Sequence, residues 1–153
     1  MIRIQSEFTN TKFNIRSIWI KFMKFSTKAE YGLRAIIRLA RNEKDGPFSL
    51  SQIAKEEKIS LAYLERLIAK LKKEGLVKST KGVKGGYVLA RESKKITVKE
   101  IFEALEGTLA PYRCVGIGKV MCASGYCATR QVWQKLQEQI IKTLNDISLK
   151  DLI

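Results

Sequence analysis

Histidine is absent from all 153 residues, and proline occurs only twice. Without histidine, the commonest metal ligand and general base is missing, so a metal site here has to rest on thiolates or carboxylates. No nucleophile–base arrangement and no nucleotide-binding glycine fingerprint is visible either, so the chain is not expected to be an enzyme. No run of about 18 uncharged apolar residues occurs, which argues against a membrane span. Acidic residues are scarce. Fifteen Asp and Glu stand against 29 Lys and Arg, a net charge of +14. Such a field attracts polyanions, either nucleic acid or an anionic membrane surface. Cysteine is limited to three, an odd count, and no secretory signal precedes them. A disulfide framework is therefore not expected, and a cytoplasmic location is.

What is present begins with an arm, residues 1–22. Its Ile15, Ile18, Trp19 and Phe22 suit one helical face, as a membrane-surface or partner-docking helix would require. The blander expectation is a poorly ordered extension, or an upstream choice of start site, because Met23 opens a stretch that reads like a domain start. From there helical signals are orderly. "STKAEYGLRAIIRLARN" puts Leu33, Ile36, Ile37 and Ala40 on one face. Thr27 and Glu30 stand at capping-box spacing at its start, as do Ser49 and Gln52 ahead of a short helix from about Leu50. Ile59 ends that helix. Ser60 caps the next, which buries Leu64, Leu67, Ile68 and Leu71 and stops at Gly75.

Two short helices joined by a tight turn, the second polar and basic on its outer face, read as helix-turn-helix. Two β-prone runs follow, Leu76 to Ser79 and Tyr87 to Ala90, joined by a Gly- and Lys-rich tip: a basic wing. "ITVKEIFEALEG" opens with a Thr97/Glu100 capping box and closes at Gly107. A final helix carries Trp133, Leu136, Ile140, Leu144 and Ile147 at three- and four-residue steps, a stripe suited to a symmetric dimer. The expected fold is thus mainly α: a winged helix-turn-helix with a small β-hairpin wing, then a long C-terminal dimerisation helix. The expected segments are 23–92 for the DNA-binding domain, 93–112 for a linking helix, 113–129 for a cysteine loop, and 130–153 for the dimerisation helix and tail.

On the recognition helix, the exposed N-terminal positions are Ser60, Ala62, Tyr63 and Arg66. Ser and Tyr donate hydrogen bonds, and Arg can bind guanine through two bonds in the major groove. Lys81 and Lys84 stand at the wing tip, where a cation can enter the narrow minor groove. Lys70, Lys72 and Lys73 form either part of this phosphate-binding surface or a merely solvated face. All three cysteines, Cys114, Cys122 and Cys127, fall in "CVGIGKVMCASGYC", whose glycines let the backbone turn freely. A cluster site, a zinc site, a thiol switch and inert thiols all remain open for it. Zinc would want a fourth protein ligand of His or Cys type, and none remains. A thiol switch needs no fourth ligand, and Arg113 and Lys119 nearby would lower a thiol pKa.

"MKFSTKAEYGLRA", "SLSQIA", "ISLAYLERLIAKLKKEGLVKSTKGVKGGYVLA", "ITVKEIFEALEG" and the three later cysteines together resemble the Rrf-two family of bacterial winged-helix regulators. The match runs from Met23 to about Ile147, and its most specific element is the wing sequence Gly85-Gly86-Tyr87 with Leu89-Ala90. The family includes an iron–sulfur assembly regulator, a nitric-oxide-sensing repressor, an iron-responsive repressor and a cysteine-metabolism regulator. The resemblance implies a homodimer on a partly palindromic operator, usually acting as a repressor. It implies DNA contacts at Ser60, Tyr63, Arg66 and Lys81. It also implies a tuning role for Glu65, whose plain alternative is a helix charge paired with Lys72 or Lys73. Arg66, Lys81 and Ala62 differ from the assembly regulator's residues, so the resemblance carries over DNA binding but not the operator sequence.

The same resemblance implies an iron–sulfur cluster, 2Fe–2S or 4Fe–4S, on Cys114, Cys122 and Cys127, sensing iron, redox state or nitric oxide. The seven- and four-residue gaps between the cysteines depart from the more even family spacing. Arg130 stands where the assembly regulator has its ligating histidine. A carboxylate from the partner's first helix is another family solution, and the matching position is Glu30. The capping box with Thr27 is its rival. The cysteine-metabolism member senses without a cofactor, so a regulator responding through thiol oxidation, a metabolite or a partner protein is the alternative.

Overall fold

Ser26 opens the first helix of the computed structural model, which describes residues 26–82, 85–116 and 127–153. The helix α1, Thr27–Arg41, does not carry the expected Thr27/Glu30 capping box. Ser26 is the N-cap and accepts a hydrogen bond from the Lys28 amide at 3.1 Å. The carboxylate that completes the cap comes from far along the chain. Glu106 accepts from the Ala29 amide at 3.2 Å and from the Ser26 hydroxyl, and pairs with the Lys28 ammonium at 3.5 Å. Glu30 is thereby left out of the cap. Burial on α1 is also wider than the expected stripe. Ala29, Gly32, Ala35, Ile36, Leu39 and Ala40 are buried, whereas Leu33 and Ile37 are only partly so. Gly32 explains the width: a Cβ there would lie 2.3 Å from a Leu105 methyl, so even an alanine would push Leu105 out of its place.

Helix α2, Leu50–Glu57, and helix α3, Leu61–Lys73, form the helix-turn-helix. Between them Lys58 takes the left-handed conformation at φ 55° and Ile59 drops into the core. Ser49 makes no side-chain cap bond, and Gln52 donates to Glu56 instead, so the expected Ser49/Gln52 box does not form. At the far end of α3, Gly75 at φ 68° lets the chain leave the helix. The buried α3 face is Leu64, Leu67, Ile68 and Leu71, as the sequence spacing predicts.

Strands β1, Val77–Thr80, and β2, Gly86–Leu89, pair antiparallel with Val77 opposite Leu89 and Thr80 opposite Gly86. Each strand sits within one residue of its expected place. Phe48 adds a bridge to the outer edge of β2, with Tyr87 exchanging both backbone hydrogen bonds at 2.9 Å. That approach requires glycine beside it. A Cβ on Gly86 would lie 2.7 Å from the Phe48 carbonyl oxygen.

Helix α4, Val98–Glu106, begins with the expected capping box: Thr97 Oγ1 accepts from the Glu100 amide at 3.2 Å, and the Glu100 carboxylate accepts from the Thr97 amide at 2.9 Å. Gly107 at φ 86° ends it. Helix α5, Ala128–Asn145, packs along α4 and against a short turn at Arg113–Val115. The chain then folds back on itself. Leu149 is fully buried in the main core, and its amide donates to the Ile96 carbonyl at 2.8 Å. The result is the expected fold, mainly α with one two-stranded hairpin, with α1 at the centre against α2, α3, α4 and β2.

Candidate nucleic-acid interface and cysteine segment

The N-terminus of α3 is chemically uncommitted. Ser60 is exposed and, although it is the N-cap, makes no side-chain cap bond. No acidic residue occupies the first turn, so the helix amides there keep their attraction for an anion. Ala62 and Arg66 are exposed, and Tyr63 is half-buried with its ring edge against Tyr31 of α1, centroids 6.1 Å apart. Arg66 forms no ion pair among the described residues. Glu65 is exposed and pairs with neither Lys72 nor Lys73; Lys72 donates to Ser79 Oγ at 2.8 Å instead. Lys70 is drawn inward, its ammonium donating to the Leu105 carbonyl at 3.0 Å. Lys81 is exposed where β1 runs out. Lys84 lies outside the described residues.

A polar clamp that the sequence reading missed holds this helix pair in place. Glu57, the last residue of α2, has a side chain only 10% exposed. Arg34 donates to its carboxylate from Nε and Nη2, each at 2.7 Å, and from Nη2 to its carbonyl oxygen at 2.9 Å. Arg38 Nε donates to the other carboxylate oxygen. Burial pushes the Glu57 carboxyl up, but the hydrogen bonds from Arg38 and Arg34 outweigh it and hold the group below its usual value. Arg34 also lies over the Tyr31 ring, 5.6 Å from its centroid, so one guanidinium touches both the turn of the motif and the ring that braces Tyr63. The only sequence signal was Arg at two positions four apart on the polar side of α1.

Cys114 lies in the turn Arg113–Val115 and is half-buried with a free thiol. Cys127 is the N-cap of α5, half-buried, with its sulfur 3.1 Å from the Thr129 hydroxyl. Cys122 lies outside the described residues. Glu30 is 62% exposed, and its nearest charge among the described residues is Arg34 at 3.8 Å. Among the described residues no three Cys, Asp or Glu groups of one chain gather as a metal site, so Glu30 is not brought to Cys114 and Cys127 within one chain.

Residues 25–153 match the family model Rrf2, described as an iron-dependent transcriptional regulator. The chain belongs to the Rrf2 family. An HTH-type regulator of Haemophilus influenzae is 39% identical over 132 residues, covering 86% of this chain and 87% of that protein. The regulator IscR of Xenorhabdus nematophila is 37% identical, covering 86% and 79%. Among solved structures, CymR, the global cysteine regulator of B. subtilis, superposes with TM-score 0.73 at 37% identity, covering 85% of this chain and 95% of that one. T. potens IscR superposes with TM-score 0.72 at 40% identity, covering 86% of each chain. These relatives are transcription regulators, and regulators of this family bind DNA. No helix among the described residues is long and apolar enough to cross a membrane.

Proposed function

We propose that this chain is a homodimeric, operator-binding repressor that senses iron, redox state or nitric oxide through an iron–sulfur cluster, acting in the cytoplasm. The observation that carries the DNA part is the uncommitted N-terminus of α3. Its exposed Ser60 and Arg66, with Tyr63 braced from below, form a reading head, and Lys81, with Lys84 beyond it, supplies the wing's cationic contact. Neither Lys72 nor Lys73 holds Glu65 away from DNA, which fits a discriminating role. Dimerisation is supported by α5. This 18-residue helix has no buried residue in the single chain, yet Leu136, Ile140 and Leu144 line one half-covered side, next to Trp133, whose ring Tyr112 of the same chain covers.

The donor set fits the cluster. Cys114 and Cys127, with Cys122 between them, would supply thiolates, and Glu30 of the partner would supply the fourth ligand. The exposed carboxylate of Glu30, freed from capping by Glu106, supports that assignment. Bound there, a 2Fe–2S or 4Fe–4S centre would supply a metal–sulfide group open to attack by nitric oxide or oxygen. Glu30 stands on the same helix as Tyr31 and Arg34, which contact Tyr63 and Glu57 of the helix-turn-helix. Anaerobic purification with iron, sulfide and zinc analysis tests this: wild type is expected to hold iron and sulfide, and Glu30→Ala to hold less. A colourless, iron-free wild type would sink the cluster reading.

The likeness to CymR favours a second reading, in which the same reading head answers thiol oxidation, a metabolite or a partner protein without a cofactor. Cys122→Ala separates the two under anaerobic, iron-replete conditions. Altered operator affinity is expected from the cluster regulator, and none from a regulator that senses a metabolite or partner.

A further inference from the structure

We propose that Tyr112 and Trp133 form a clamp that holds the Cys114 turn against α5, which makes Tyr112 a positioning residue for the Cys114 and Cys127 thiols. The two rings stack with centroids 5.5 Å apart and planes 16° from parallel. Tyr112 is 52% exposed, so burial in the core is not what holds it. The hydrogen bonds of the adjoining turn are local: Val115 donates to Tyr112 at 3.2 Å and Gly116 to Arg113 at 3.3 Å. They shape the turn without fixing its place on α5. The ring stack joins that turn directly to α5, beside the packing of Leu109 and Leu144 on the Ala29–Val98–Phe102 cluster.

Its position along the chain gives it leverage. Cys114 is two residues from Tyr112, at most about 7 Å of backbone. Cys127 and Trp133 sit at the N-cap and in the second turn of one rigid helix, about 9 Å apart along its axis. The stack therefore joins the two thiols through two residues, one ring contact and part of a helix. Bringing loop ends together in advance raises their effective concentration toward each other or toward anything both must bind. A stacked aromatic pair changes such an equilibrium by about two- to tenfold.

The clamp deepens the cluster reading, but its test does not need a cluster. The full-length chain carrying Cys122→Ser is prepared without iron and equilibrated in glutathione buffers. Forming one Cys114–Cys127 bond breaks one glutathione disulfide and releases two glutathione thiols, so the ratio at equilibrium gives the effective concentration directly. Tyr112→Ala is expected to lower it about two- to tenfold, in the range set for such a ring pair, with the melting temperature falling by no more than about 6 °C. Tyr112→Phe keeps the ring and is expected to keep the wild-type value. Trp133→Ala should match Tyr112→Ala, and the double variant should lose nothing further. The clamp is refuted by an unchanged Tyr112→Ala, by additive losses in the double variant, or by no intramolecular pair in the parent. Iron reconstitution of chains that retain Cys122 then separates the two ideas. A wild type that takes up no iron removes the cluster reading and leaves the clamp to be judged by the thiol equilibrium.

Discussion

Glu57 offers the sharpest test of how the reading head is held. Glu57→Gln keeps the shape and one acceptor oxygen but removes the charge that Arg34 and Arg38 share. Hydrogen bonds to charged groups contribute about 1.5–3 kcal/mol each, and breaking a fully buried pair costs about 3–5 kcal/mol. The carboxylate is 10% exposed, but the two arginine side chains are 40% and 36% exposed and regain water when the partner is neutralised. The cost therefore falls toward the lower bound, about 2 kcal/mol. At roughly 4 °C per kcal/mol for a domain of this size, the melting temperature should drop by about 8 °C.

The pH dependence has a definite sign. The folded carboxyl is held below its ordinary value of 4.5, because the bonds from Arg38 and Arg34 overcome the upward push of burial. Its stabilisation is thus complete above the unfolded value and disappears as pH falls below 4.5 through the folded value. Chemical denaturation of wild type and Glu57→Gln, followed from pH 7 to about pH 3, should give stability curves that converge at the acid end. A constant gap across that range, or a gap at neutral pH under about 0.5 kcal/mol, would refute the clamp as a charged interaction.

Three further outcomes follow from the site and the wing. Lys81→Ala should weaken operator binding at low salt and flatten the salt dependence by about 0.9 log units for each phosphate no longer neutralised, close to 2 for a two-fold dimer; a gel shift over a salt series reads both. Gly86→Ala drives a methyl into the Phe48 carbonyl, so it should cost about 1–3 kcal/mol in urea denaturation and weaken DNA binding more than stability alone explains. Glu30→Ala removes only an exposed ion pair at 3.8 Å with Arg34, so it should shift stability by no more than about 0.5 kcal/mol while lowering iron content.

The parts legible in the sequence were those whose cause is local. The α3 stripe, the Thr97/Glu100 cap, the stops at Gly75 and Gly107 and the two strands of the wing each follow from periodicity or from a residue within four positions. The misses have distant causes. Ser26 and Glu106 are 80 residues apart, and no window contains both. Arg34 and Glu57 meet only after α1 and α2 pack together. Leu149 looked like part of a tail, and its burial depends on the Ile96 backbone offering a hydrogen bond where the chain returns. The Thr27/Glu30 and Ser49/Gln52 pairs show the converse. Correct spacing does not form a capping box when a better partner competes, Glu106 in the first case and Glu56 in the second.

That competition is what makes Glu30 informative. Two other carboxylates that bear on α1 are fully engaged: Glu106 caps its amides and Glu57 binds two of its arginines. Removing either would disturb the fold, and any loss of iron or DNA binding would have two explanations. Glu30 differs because its cap role is already filled and its ion pair is long and exposed. A stability-neutral loss of iron in Glu30→Ala therefore points to ligation. A loss of more than about 1 kcal/mol would show instead that the Glu30–Arg34 pair supports the Arg34–Glu57 clamp, since exposed pairs of this kind seldom exceed that value. Glu30→Gln completes the test. It keeps the length and hydrogen-bonding capacity toward Arg34 but is a far poorer ligand for iron, so ligation predicts that it behaves as Glu30→Ala, and a structural role predicts that it behaves as wild type.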